Sequence, residues 1–206
     1  MSEEKDSSEN KIKDLSGISK LQNLKTLNLS RNKLEKIHRE IYELRNLSSL
    51  NVSFNKISEI PRQVKRLKKL KSINLSNNKN CSIKNIKFIE RLDTIILNRM
   101  GFLKMDIPFI KKIKCIYLCG NNLTTIDKKI LSINLRELNI SQNNINRIDR
   151  ETMIYLKTIK HLMMYEINCG SPVLVYPDEE DIADFLEQKY IECAVLERSD
   201  INDLFI

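Results

Sequence analysis

Tryptophan is absent from the 206 residues, and glycine and proline number only four each. So few chain breakers leave no composition for a flexible linker between domains. Histidine occurs twice, as His38 and His161, and neither has a second histidine or a cysteine at ligand spacing. No run of about 18 apolar residues is present to span a bilayer, and the opening MSEEKDSSEN has neither the basic nor the apolar region of a secretion signal. Glycine-rich phosphate loops, nucleophile elbows and the H-E-x-x-H pattern are also missing. Five cysteines, an odd number without clustering, fit a reducing compartment. Cys115 and Cys119, four residues apart on an extended segment, would stand about 13 Å apart and could not share a metal or a disulfide without a bend. The expectations are therefore no catalytic residues, no cofactor, no metal, no small-molecule substrate and no membrane span. An intracellular chain follows, with the cytoplasm preferred to the nucleus.

What is present is one spacing pattern, repeated. In LKTLNLSRNKL, Leu24, Leu27, Leu29, Asn32 and Leu34 occupy positions 1, 4, 6, 9 and 11, and Leu47, Leu50, Val52, Asn55 and Ile57 repeat them. Position 1 recurs at Leu70, Leu92, Ile113, Leu135 and Ile159, in steps from Leu24 of 23, 23, 22, 21, 22 and 24 residues. Positions 4 and 6 point the same way from an extended segment. A single unit cannot bury such a row, but stacked units can, each laying its apolar side chains on the next while the short strands pair in parallel. The ninth position holds Asn32, Asn55, Asn78, Met100, Asn121, Asn143 and Ile167. Its amide stands where the chain leaves the strand, placed to satisfy backbone groups that the turn would otherwise bury unpaired.

The pattern L-x-x-L-x-L-x-x-N-x-L resembles the leucine-rich repeat superfamily over about residues 21 to 168. The outer segments LEKIHREIYELRNL and ISEIPRQVKRLKKL are similar to the repeats of about 23 residues in Ras-group and Scribble-type proteins. Pro61 stands at that family's proline position, and His38 stands there one repeat earlier. The resemblance implies an α/β solenoid: a curved parallel sheet of about seven short strands, short helical or irregular outer turns, and a C-terminal helical cap. It also implies a scaffold or adaptor that binds a protein on its concave face, with small GTPase pathways and phosphatase complexes as conceivable partners.

Along the chain, residues 1–11 read as a flexible tail, 12–168 as the repeat domain and 169–206 as a cap with an acidic segment. Ile12, Leu15, Ile18 and Leu21 recur every three residues and suit an incomplete first repeat covering the open end of the core. The middle departs from pattern, with Asn80 at position 11 of the third repeat and Met100 at position 9 of the fourth. Two readings stand: drifted repeats that remain packed, or a bend exposing a site near residues 76–105.

The frame also assigns a surface. Positions 2, 3, 5, 7 and 8 should border the concave face, and position 5 reads Asn28, Asn51, Asn74, Ile96, Tyr117, Asn139 and Met163. With Phe54 at position 8 and Tyr165 at position 7, this gives an aromatic and apolar set of the kind found at protein interfaces. Alternatively the C-terminal segment covers it. The net charge of +8 divides unevenly. Residues 178–206 carry ten acidic and two basic groups, net −8, so residues 1–177 carry +16. On the outer turns, Arg62, Lys65, Arg66, Lys68, Lys69, Lys111, Lys112, Lys128 and Lys129 form a basic stripe that could contact RNA phosphates in a ribosome or other ribonucleoprotein. The competing explanation is a Lys-, Asn- and Ile-rich composition with solvated turns.

Overall fold

The computed structural model describes residues 3–6, 15–129, 133–145 and 148–164. Eight strands form one open parallel sheet in sequence order: β1 (Glu4–Asp6), β2 (Thr26–Asn28), β3 (Ser49–Asn51), β4 (Ser72–Asn74), β5 (Thr94–Ile96), β6 (Cys115–Tyr117), β7 (Glu137–Asn139) and β8 (His161–Met163). Each strand from β2 onward covers positions 3 to 5 of a repeat, and the register pairs equal positions without slippage, as in Leu27↔Leu50↔Ile73. The outer sides carry 3-10 turns at Ile18–Lys20, Arg39–Glu43, Arg62–Arg66 and Lys84–Phe88, and an α-helix, α1 (Arg150–Lys157), capped by the Asp149 carboxylate on the Thr152 N–H at 2.9 Å. Pro61 and His38 occupy the same place, each extended and immediately before its 3-10 turn. The imidazole Nδ1 of His38 accepts from the Glu40 N–H, so a histidine caps this turn where the next repeat has Pro61.

Positions 1, 4, 6 and 11 and the apolar residues of the turns line one continuous core from Leu15 to Met164. Between its layers runs a ladder of buried asparagines. The Oδ1 of Asn55, Asn78 and Asn143 accepts the position-11 N–H of the preceding repeat, from Leu34, Ile57 and Leu123 at 2.9, 2.9 and 3.1 Å. Each Nδ2 donates both to its own position-6 carbonyl and to that of the preceding repeat. The backbone groups that these asparagines reach are thus paired where the inward turn removes them from water.

The irregular middle remains packed. Met100 carries no amide oxygen, and the Asn80 N–H goes instead to the Met100 carbonyl at 3.1 Å. Asn80 adopts a left-handed φ of 59° and turns outward, and Cys81 fills the core in its stead. The next asparagine, Asn121, accepts from both Met100 N and Phe102 N. The sheet is continuous through this region, with Asn74, Ile96 and Tyr117 in register.

Position 8 is left-handed in every described repeat: Arg31, Phe54, Asn77, Arg99, Gly120 and Gln142 all have φ between 52° and 69°. That conformation aims the N–H at the next repeat's position-7 carbonyl, as in Phe54 to Ser76 at 2.8 Å. A Cβ on Gly120 would lie 2.8 Å from Arg99 Cγ. Gly120→Ala should therefore cost about 1–2 kcal/mol, the left-handed penalty plus displacement of Arg99, readable as a lowered urea midpoint.

Two expectations need correction. Among the described residues the strands number eight, because Glu4–Asp6, assigned to a flexible tail within residues 1–11, pairs with β2. The Glu3 carbonyl accepts from Lys25 N and Thr26 N, and the Glu3 carboxylate meets Lys25 Nζ at 2.8 Å. Backbone pairing and an ion pair hold this edge without an apolar anchor. At the same end Leu15 and Ile18 are buried, and Glu40 accepts from Gly17 N and the Ser19 hydroxyl at 2.7 and 2.8 Å. The expected C-terminal cap at 169–206 lies outside the described residues.

Candidate partner-binding face

Position 5 faces away from the core along the whole sheet. In repeats one, two, three and six its asparagine has a structural role, since the Oδ1 of Asn28, Asn51, Asn74 and Asn139 accepts the position-7 N–H two residues on, at 3.0–3.1 Å, and ends the strand. Repeats four and five have Ile96 and Tyr117 there, and neither side chain accepts the position-7 N–H of its own repeat. The neighbouring repeats take over, with Ser76 Oγ accepting from Asn98 N at 3.1 Å and Asn98 Oδ1 from Cys119 N at 2.8 Å. The apolar side chains at position 5 are thereby released from any part in closing the turn.

Ile96, Tyr117, Asn139 and Met163 form one cross-strand row, each half-buried, with Asn139 Nδ2 donating to Met163 Sδ at 3.5 Å. The structure thus brings Ile96, Tyr117 and Met163 onto one face, with Asn139 between the latter two. The Tyr117 hydroxyl donates to Glu137 Oε2, which orients the ring across β7. Burial, then the Glu137 bond and charge, raise its pKa; burial, then Glu59, raise that of Tyr42, whose hydroxyl donates to the Ile37 carbonyl. Both protons are held more tightly folded than unfolded. Their contribution to stability is complete below about pH 10, the unfolded tyrosine value, and is lost as pH rises beyond it. The melting temperature should therefore fall on titration above that pH, and less so in the double variant Tyr42→Phe, Tyr117→Phe.

Phe54 lies elsewhere on the surface. It is 43% exposed at the left-handed corner beyond β3, with the Arg31 guanidinium 4.8 Å from its ring centre. It borders the polar first half of the sheet and does not join the Ile96 row. Position 7 also differs from expectation, because Ser30, Ser53, Ser76 and Ser141 are buried. The chain has already begun to turn inward there, so position 7 lines the corner in those repeats. Tyr165, assigned to the set at that position, lies outside the described residues.

The basic turns are partly neutralised from neighbouring repeats. Arg66 meets Glu43 at 2.8 Å, Lys68 pairs with Glu90, and Lys128 bridges Asp149 and Glu151 at 3.4 and 2.9 Å. Lys129 lies 3.8 Å from Asp127, Lys69 donates to Asn46 Oδ1, and Arg62 covers the Phe88 ring. Lys65, Lys111 and Lys112 are exposed. Exposed pairs of this kind contribute about 0–1 kcal/mol each. Lys68→Ala should accordingly move the melting temperature little.

One apolar feature escaped the repeat frame. The outer side of repeat four has no regular turn and leaves Leu103 and Phe109 67% and 63% exposed, beside a pocket of about 120 Å³ lined by Met105, Ile107, Phe109, Ile116 and Ile133. The signal in sequence was the run GFLKMDIPFI, whose apolar spacing matches neither neighbouring outer turn.

No cluster of His, Cys, Asp or Glu that could hold a metal occurs among the described residues. Nor is any described helix long and apolar enough to cross a membrane. Cys81, Cys115 and Cys119 are free thiols; burial foremost pushes Cys81 up to about 12 and raises Cys115, so neither is an activated nucleophile.

The Leucine rich repeat family model matches residues 8–57, 22–79 and 111–164. No curated protein matches the sequence significantly. Among solved structures, the functional domain of InlJ from Listeria monocytogenes aligns over 79% of this chain and 34% of its own, at 23% identity and a TM-score of 0.60. The internalin InlF from Listeria monocytogenes aligns over 76% and 45%, at 19% identity and TM-score 0.63. A leucine-rich repeat protein of Leptospira interrogans aligns over 89% and 58%, at 21% identity and TM-score 0.62. The chain thus spans between a third and three fifths of these proteins, and at such identities the likeness is one of fold.

Proposed function

The chain belongs to the leucine-rich repeat family, and from that premise we propose that it is a non-enzymatic protein-binding scaffold whose contact surface is centred on Ile96, Tyr117 and Met163. The observation that carries this reading is the exchange of hydrogen-bonding duty around repeats four and five. Asparagine at position 5 closes its own turn, whereas Ile96 and Tyr117 need Ser76 and Asn98 to close it for them. An apolar and aromatic row on a rigid sheet offers a partner anchoring area with little ordering cost. Free cysteines, two of them buried, agree with an intracellular location, which we propose as cytoplasmic.

Tyr117→Ala tests the surface. Truncating a true anchor commonly costs about 2 kcal/mol or more in binding, roughly thirtyfold in affinity. The expected result is a partner, captured from native cells and resistant to nuclease, whose affinity falls by that factor while the melting temperature changes little. A lowered melting temperature with unchanged affinity would instead identify the row as covered core. Loss of every partner on nuclease treatment would favour RNA or ribonucleoprotein binding through the basic turns.

A further inference from the structure

The face that holds the apolar row is bordered mainly by basic residues. Position 2, immediately before strands β2 to β8, reads Lys25, Ser48, Lys71, Asp93, Lys114, Arg136 and Lys160, and position 8 adds Arg31 and Arg99. From β2 to β8, positions 2, 3, 5, 7 and 8 of the described residues set seven basic groups against Asp93 and Glu137, a balance of +5, while Glu3, Glu4 and Asp6 add three acidic groups at the β1 edge. On the outer turns, carboxylates of adjacent repeats answer Arg66, Lys68 and Lys128, while Lys65, Lys111 and Lys112 are exposed. On this face Lys25 meets Glu3 and Arg136 meets Glu137, while Lys71, Lys114 and Lys160 are exposed and form no ion pair among the described residues.

The placement of those three lysines coincides with the apolar row. They precede β4, β6 and β8, every second strand, and so recur at about 10 Å across the sheet. Ile96, Tyr117 and Met163 lie on β5, β6 and β8, about 10 Å further along the strands. A basic line thus runs beside an apolar one over the same half of the sheet. We propose that this face selects an acidic polypeptide segment bearing apolar side chains, the carboxylates meeting Lys71, Lys114 and Lys160 and the apolar groups the Ile96–Tyr117–Met163 row. The proposal rests on the protein-binding reading above and adds the chemistry of the partner. A polypeptide fits better than a nucleic acid because the Ile96 and Met163 side chains offer contact to apolar side chains, which a phosphodiester backbone does not carry. The lysines then serve selection and capture rate, and the apolar row supplies the anchor.

Fluorescence anisotropy on the full chain, with short labelled peptides of alternating Glu/Leu, Gln/Leu, Lys/Leu and Glu/Ser and with oligouridylate, tests this at low and high salt. The Glu/Leu peptide should bind most tightly and weaken as salt screens the lysines. The triple variant Lys71→Glu, Lys114→Glu, Lys160→Glu should weaken it at least about tenfold, and Tyr117→Ala should weaken the Glu/Leu and Gln/Leu peptides alike. A circular dichroism melt of each variant separates these effects from misfolding, and Lys71→Gln, Lys114→Gln, Lys160→Gln repeats the test without added repulsion. Equal affinity for Glu/Leu and Gln/Leu would overturn acidic selectivity and leave the protein-binding face standing. Tighter binding of oligouridylate, or no binding of any peptide, would overturn the proposal. If changing Asp178, Glu179, Glu180 and Asp181 to their amides tightened Glu/Leu binding, the occupant would be the chain's own acidic segment and the assignment of a separate partner would fall.

Discussion

Asn78→Ala should destabilise the protein by about 3 to 5 kcal/mol, one of the largest effects expected of any polar substitution in this chain. Asn78 is fully buried, and its side chain serves two repeats at once. Oδ1 accepts from Ile57 N at 2.9 Å, while Nδ2 donates to Val52 O and Leu75 O at 3.0 and 2.8 Å. Removing the amide leaves the buried Ile57 N–H without its acceptor, an unsatisfied group that costs about 1–3 kcal/mol, and takes one donor from the Val52 carbonyl, which keeps Asn55 Nδ2. Loss of side-chain volume adds to this. Repeat three shows why the chain cannot simply adapt: where Met100 replaces asparagine, Asn80 takes a left-handed conformation and Cys81 enters the core. Ile57 has no such rearrangement built in. Urea unfolding of Asn78→Ala beside wild type measures the difference; a loss under about 1 kcal/mol would mean that the ladder is replaceable by local shifts or entering water.

Leu50→Ala should cost about 2 to 5 kcal/mol through lost burial and a residual cavity. Leu50 is 1% exposed and stands in register between Leu27 and Ile73, so its loss opens a gap between three successive layers. Repeat packing makes collapse difficult, because each layer is also held by the asparagine ladder. The matched control is Leu103→Ala, the same chemical change at a side chain 67% exposed, expected to stay within about 0.5 kcal/mol. Equal shifts in the two unfolding midpoints would show that the assignment of inner and outer positions is wrong. Ser48→Ala is a poorer control, since the Ser48 hydroxyl donates to the Lys25 carbonyl at 3.0 Å.

The candidate face was legible to the extent that it follows strand alternation. Position 5 lies between buried positions 4 and 6 and must project the other way, so Ile96, Tyr117 and Met163 could be placed on one face from spacing alone. The cost of having them there was not legible. It depends on Ser76 and Asn98 reaching turns 22 and 21 residues away, contacts that exist only once the repeats are stacked. The burial of the position-7 serines was not legible for a related reason. The frame treats position 7 as a strand continuing, whereas the left-handed residue at position 8 has already begun the turn.

Sequence by itself determined the repeat and its register, the stacking of an apolar row, and the inward role of asparagine. These follow from periodicity, which is a property of one chain segment and the geometry of extended backbone. The tertiary structure decided what depends on neighbours. Glu4–Asp6 becomes a strand because β2 presents unpaired backbone groups, though the segment has no apolar pattern to announce it. Cys81 takes the place expected of position 11 because Met100, one repeat on, offers a carbonyl and no amide. The basic turns divide into paired and unpaired cations according to which carboxylate lies one repeat away. In each case the partner is about a repeat distant in sequence and adjacent in space, and only stacking makes the two the same neighbourhood.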